Sequence, residues 1–88
     1  MSIPQQVRPF FWDLGLRDED LTAYPDYTIG RLLEMGDDPA VQWMRETFPR
    51  TEIERVIRTE RRLSRRSANF WALVYGIPAG EVAALRME

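Results

Sequence analysis

Neither cysteine nor histidine occurs among the 88 residues of this chain. A chain this short buries only about 60–65% of the surface that its unfolded form exposes, and without cysteine no disulfide staples it and no thiolate holds a structural metal. Its stability must come from apolar faces packed against one another, with a homodimer interface as a further source. Hydrophobic residues at 44% and charged residues at 30% fit an ordinary globular composition and argue against a long disordered chain. One domain over 1–88 is expected, with 1–25 as arm and loop and 26–88 as helical core.

The same absences exclude chemistry. There is no imidazole general base and no thiol nucleophile, which rules out the usual triads and most zinc sites. Carboxylates, hydroxyls and arginine remain. Asp18-Glu19-Asp20 and Asp37-Asp38 offer oxygen ligands for magnesium, but adjacent acids are far commoner as helix caps and solvated loops. No catalytic residue, metal or cofactor is therefore expected. Met1-Ser2-Ile3-Pro4 has neither the basic start nor the apolar stretch of a signal peptide, and no apolar run approaches the roughly 20 residues of a membrane span. The expectation is a cytoplasmic protein without a membrane partner.

Helical periodicity, cut by proline and glycine, then predicts an all-α bundle of about five short helices. Arg8-Pro9-Phe10-Phe11-Trp12 reads as an aromatic arm sealing the edge of the core, the alternative being an exposed stacking platform for bases. Residues 15–25 read as a loop or a single short turn. Tyr27, Ile29, Leu32 and Leu33 mark one helix, which Gly36 is placed to end in a left-handed cap. Asp38-Pro39 opens the next as cap and first turn, with Val41, Met44 and Phe48 inward and Pro49 as its stop.

Thr51-Glu52-Ile53-Glu54 fits a capping box at the head of a helix over 51–62. At 100° per residue, Ile53, Val56 and Ile57 share one side, while Arg55, Arg58 and Arg62 form a stripe on the other. Glu60 falls on the apolar side, an inconsistency that a partner or the nearness of the helix end would relieve. After a very short turn, Ser64 caps a helix over 64–75, with Ala68, Trp71 and Tyr75 inward, helped by Phe70 and Val74. Arg65, Arg66 and Asn69 project from its first turns. Gly76 closes it, and Pro78 opens a last helix that returns Val82 and Leu85 to the core.

Charge is sorted along the chain. Residues 1–49 hold four arginines against nine acids, and 50–66 hold seven against three, within a net charge of −2. Such local fields, more than total charge, steer association with phosphates or acidic surfaces. A tight turn between two helices, the second opening on arginines, is the outline of a helix-turn-helix, in which arginine reads guanine and asparagine reads adenine. The helix N-terminus also suits a phosphate. The plain alternative is a solvated arginine face that confers solubility alone.

Phe11-Trp12-Asp13, Gly36-Asp37 ahead of Trp43, and Leu63-Ser64 followed by Ser67-Ala68-Asn69-Phe70-Trp71-Ala72-Leu73 resemble a small bacterial family with an FWD start and an LSxxTxNFW-type core. The similarity runs over nearly the whole chain, with Ser67 where the family usually has threonine. Proteins of that family are often encoded beside nucleotidyltransferase-like toxins of the abortive-infection type. The resemblance thus implies an antitoxin or operon regulator with no catalytic residues.

Two expectations follow. One is a DNA-binding regulator with Arg65, Arg66 and Asn69 toward bases and Arg55, Arg58 and Arg62 toward phosphates. The other is a protein-interaction module that neutralises a partner enzyme without contacting DNA.

Overall fold

The computed structural model describes residues 5–11 and 18–86, the side chains of 18–20 apart. Among these residues the chain is all-α, without strands. Its helices are α1 (Asp18–Ala23), α2 (Pro25–Met35), α3 (Asp38–Thr47), α4 (Arg50–Thr59), α5 (Arg65–Tyr75) and α6 (Ala83–Arg86), with 3-10 turns at Arg8–Phe10 and Ala79–Glu81. The bundle is the one that periodicity predicts, with a six-residue α1 inside the stretch expected to be loop or turn.

The centre is α2. Its Thr28, Ile29, Leu32 and Leu33 are buried, and it touches α1, α3, α4, α5 and the first 3-10 turn. Thr28 is a buried polar side chain, and its hydroxyl donates to the Leu21 carbonyl at 2.7 Å, so the polar group is satisfied. Val7 and Phe11 are fully buried. The Phe11 ring lies 6.4 Å from Tyr27 and 5.8 Å from the Arg31 guanidinium, while Arg31 Nε donates to the Phe10 carbonyl at 2.5 Å. The aromatic segment is therefore a docked turn belonging to the core, together with Leu21 of α1. Trp12, Asp13 and Met1-Ser2-Ile3-Pro4 lie outside the described residues.

Several helix ends depart from the sequence expectation for identifiable reasons. Asp37, not Asp38, caps α3: its Oδ1 accepts from the Ala40 amide at 3.1 Å, which puts Asp38 and Pro39 in the first turn. Gly36 is extended, at φ −69° and ψ 145°, not left-handed. Its role is close approach: an added Cβ would lie 2.6 Å from the Leu32 carbonyl oxygen, which already accepts from the Gly36 amide at 2.7 Å. Gly36→Ala must shift backbone and should cost about 1–3 kcal/mol, seen as a drop in melting temperature of about 4–8 °C per kcal/mol. An unchanged melting curve would show that the turn has room to spare. Gly76 does take the left-handed cap, at φ 67° and ψ 32°.

Nor does the capping box form. Pro49 is the N-cap of α4, without a side-chain cap bond, and its carbonyl accepts from the Glu52 and Ile53 amides. Thr51 thus lies inside the helix, and Glu54 is taken by Arg50 at 2.6 Å. The helix stops at Thr59 instead of running to Arg62. Thr59 Oγ1 donates back to the Arg55 carbonyl at 2.8 Å, and the Glu60 carboxylate accepts from the Arg62 amide at 3.0 Å, which turns the chain. Glu60 on the apolar side is thereby explained: it is the C-cap residue. The α4–α5 connection is consequently residues 60–64, longer than the very short turn expected, with Leu63 buried in its middle.

Ser64 does cap α5, its Oγ accepting from the Ser67 amide at 3.1 Å. The inward side of α5 is Ala68, Trp71, Ala72 and Tyr75. Trp71 Nε1 donates to the Leu33 carbonyl at 2.7 Å, satisfying one of the carbonyls that the end of α2 leaves without a helical partner. Phe70 and Val74, expected inward, face out. Alanines at 68 and 72 set the inward face close to its neighbours and Trp71 and Tyr75 fill it, so the remaining large residues of the run stay on the surface. Beyond Gly76, Pro78 leads into the second 3-10 turn and α6, with Val82 buried and Leu85 packed on the core.

Candidate interaction face of α4 and α5

Of the expected stripe, Arg55 and Arg58 stand on the surface of α4 and Arg62 lies in the turn beyond its end, because the helix stops at Thr59; all three are engaged. Arg55 makes a two-pronged pair with Asp26 of α2, Nη1 to Oδ2 at 3.0 Å and Nη2 to Oδ1 at 2.6 Å, and also pairs with Glu52. Arg58 reaches Glu81 at 3.2 Å and Glu54 at 3.7 Å, and Arg62 pairs with Glu60 at 2.9 Å. The stripe's positive charge is therefore largely balanced by the protein's own carboxylates. Such exposed pairs contribute little to stability and are screened by salt. They do set the local field, and they remove much of the excess cation that the linear sequence displays.

Their electrostatics also set an acid limit. The hydrogen bond from Arg55 holds the Asp26 carboxyl below its ordinary range against the desolvation that opposes it, and the hydrogen bond from Arg62 does the same for Glu60. The guanidiniums of Arg55 and Arg62 are correspondingly raised, chiefly by those same bonds. Both carboxyls have folded-state values below the unfolded ones. Their contribution is thus complete above the ordinary carboxylate range, near about 4, and is lost as pH falls through the lower folded values. Glu60→Gln should be less stable than the parent at neutral pH and converge with it between about pH 5 and pH 2. Urea midpoints measured across that range check this; a gap that persists or widens in acid would contradict it.

Arg65, Arg66 and Asn69 are brought together on the exposed first two turns of α5. Arg65 reaches the Leu85 carbonyl at 3.4 Å. Arg66 and Asn69, and Arg61 in the preceding turn, make no polar contact with the described residues. Glu34 at the end of α2 accepts from the Ser64 amide at 2.9 Å, so a carboxylate already stands at the N-terminus of α5, where a phosphate was expected. Asp37 is committed to its cap, and among the described residues no three acidic side chains gather as metal ligands. The side chains of Asp18, Glu19 and Asp20, the other acidic cluster, lie outside the described residues.

Periodicity did not show the second half of the face. Phe70, Leu73 and Val74 are 55%, 74% and 46% exposed. They continue the outward arc that begins with Arg65, Arg66 and Asn69, polar in its first half and apolar in its second. Phe70 is steadied by an edge-on contact with Trp71, 4.9 Å between ring centres. A groove runs between this arc and the end of α2, lined by Glu34, Arg66, Asn69, Phe70 and Leu73 among others. Large apolar side chains gathered on one exposed helix face are the usual mark of a docking surface.

A family model described as a family of unknown function, DUF6922, matches residues 7–57, more than half of the chain. The chain belongs to DUF6922. The matched span runs from the buried Val7 through α1, α2 and α3 to Ile57 near the end of α4. It contains the central helix and Arg55, and it ends before α5 begins. Comparison with curated proteins and with solved structures returns no match.

Among the described residues no helix is long and apolar enough to cross a membrane.

Proposed function

We propose that this chain is a non-catalytic binding module that engages a partner protein through the outward half of α5. The observation that carries the reading is the exposure of Phe70, Leu73 and Val74 beside Arg66 and Asn69 on a single helix face. Apolar anchors bordered by cations suit a partner with an apolar groove rimmed by carboxylates, because anchors supply affinity while charges supply steering and register. The ion pairs that balance the α4 stripe favour this over a long phosphate-tracking surface. The resemblance to a small family whose members are often encoded beside nucleotidyltransferase-like toxins suggests the partner to try, the product of the adjacent gene, and an antitoxin role in a bacterial operon.

The experiment is co-expression of the chain with that product, with affinity and growth rescue measured for the parent and for a Phe70→Asp, Leu73→Asp double variant. Both positions are exposed, so melting should stay near the parent's. Binding should weaken by at least about a hundredfold, the effect of losing two hot-spot anchors, and rescue should fail. Undiminished binding by the double variant, or a chain that never alters the partner's toxicity, overturns the reading.

A DNA-binding reading is favoured by one observation, the joint exposure of Arg65, Arg66 and Asn69 at the head of α5. Mobility-shift titrations on the chain's own promoter test it. Affinity should fall with salt at roughly one unit of log–log slope for each phosphate engaged, and absence of binding at low salt removes the reading.

A further inference from the structure

Away from the α5 face, two arginines converge on one tyrosine. Arg45, near the end of α3, lies 5.8 Å from the Tyr75 ring centre, and Arg50, the first residue of α4, lies 4.9 Å from it. Arg45 Nε also donates to the Tyr75 hydroxyl at 3.3 Å, and Arg50 Nε donates to Glu54 at 2.6 Å. In both residues the contact within the protein is made through Nε. Those contacts orient the guanidinium and leave both terminal nitrogens without an acceptor among the described residues. Tyr75 accepts from Arg45 and keeps its own hydroxyl proton to donate.

These groups stand at a cleft of about 360 Å³ whose remaining walls are Phe48, Ile53 and Val74. A concavity in which apolar walls meet a few convergent polar groups is the usual form of a binding pocket. Charge decides what fits. Glu54, the nearby carboxylate, is divided between Arg50 and Arg58, and Arg45 has no carboxylate partner among the described residues. The cleft therefore has a surplus of cation, unlike the balanced stripe on α4.

We propose that this cleft binds an acidic, amphipathic peptide segment of a partner protein. A bulky apolar side chain would fill the space against Phe48, Ile53 and Val74, and a neighbouring carboxylate would be held by Arg45, Arg50 and the Tyr75 hydroxyl. A free inorganic anion leaves the apolar walls uncovered, and a purely apolar segment leaves two guanidiniums unanswered. The planar donor edge of arginine matches a carboxylate in two-pronged geometry. The site is separate from the α5 face apart from the edge that Val74 shares, so the decisive changes are made at Arg45 and Arg50.

The test uses the full chain and a short labelled peptide in which glutamate alternates with leucine and phenylalanine, followed by fluorescence anisotropy. Arms with the glutamine counterpart of the peptide and with inorganic phosphate as competitor run beside it. Saturable binding of the acidic peptide is expected, weakened at least about tenfold by Arg45→Gln and again by Arg50→Gln, the scale of one lost charge-assisted hydrogen bond. Both side chains are exposed, and circular dichroism of each variant confirms folding. Tyr75→Phe keeps the ring, removes the hydroxyl and should weaken binding without loss of the fold. Equal binding of the glutamine peptide, displacement by phosphate alone at matched ionic strength, or indifference to both arginine changes overturns the proposal. Loss of peptide binding in the arginine variants with Phe70 and Leu73 intact separates this site from the α5 face.

Discussion

Trp71→Ala should remove a large share of the fold's stability. Trp71 is 93% buried and is the large side chain through which α5 reaches α2. Truncating a buried tryptophan costs about 3–5 kcal/mol through lost transfer energy and the cavity left behind. Stability of about 0.05–0.15 kcal/mol per residue gives a domain of this length about 4–13 kcal/mol in all, so the loss is a large fraction of it. A second loss adds to it, because the Leu33 carbonyl at the end of α2 is left without its donor. Trp71→Phe isolates that part: the ring volume is largely kept, the indole N–H is lost, and the cost should be about 1–2 kcal/mol. Urea unfolding followed by circular dichroism measures both. An alanine variant within 1 kcal/mol of the parent would show that α5 is not fastened to α2 in this way.

Phe11→Ala should be nearly as damaging, at about 3–5 kcal/mol, although it lies in a segment that precedes the main helices. Its ring has no exposed surface and packs on Tyr27 beside Arg31. Phe10→Ala, at a half-buried neighbour, should cost distinctly less. The comparison is pointed, because a stacking platform for bases would show the opposite pattern, with little change in stability and a large change in binding to single-stranded DNA. Thermal melts of the two variants, set beside an oligonucleotide titration of the parent, distinguish these outcomes.

The interior was legible wherever spacing alone decides it. Ile29, Leu32 and Leu33 in α2, Met44 in α3, and Ile53, Val56 and Ile57 in α4 fall where a 3.6-residue period puts them. In α5 the period does not single out the buried side, because Phe70, Trp71, Leu73, Val74 and Tyr75 spread over more than half of the helix circumference. The better signal there was the pair of alanines at 68 and 72, which identifies the side that packs closely. The ends of α4 were missed because local bonds compete: Arg50 takes Glu54 from the capping box, and Thr59 and Glu60 turn the chain before Arg62.

The exposure of the arginines at the head of α5 was legible in the sequence, and the charge balance around them was not. Arg65, Arg66 and Asn69 do share one exposed surface. Two partners of the stripe come from elsewhere in the chain, Asp26 being 29 residues from Arg55 and Glu81 being 23 from Arg58, beside the local Glu52, Glu54 and Glu60. A running tally of charge along the sequence cannot register pairs that only folding brings together. The same holds for Arg45 and Arg50, whose meeting at Tyr75 depends on α3, α4 and α5 being in place.

The division of α5 into an inward side of Ala68, Trp71, Ala72 and Tyr75 and an outward arc from Arg65 to Val74 has a consequence for how such a chain diversifies. The residues that hold the helix and those that meet the outside are different residues on the same three turns. Substitutions at 66, 69, 70 and 73 can therefore change the outer surface of α5 without repacking the bundle.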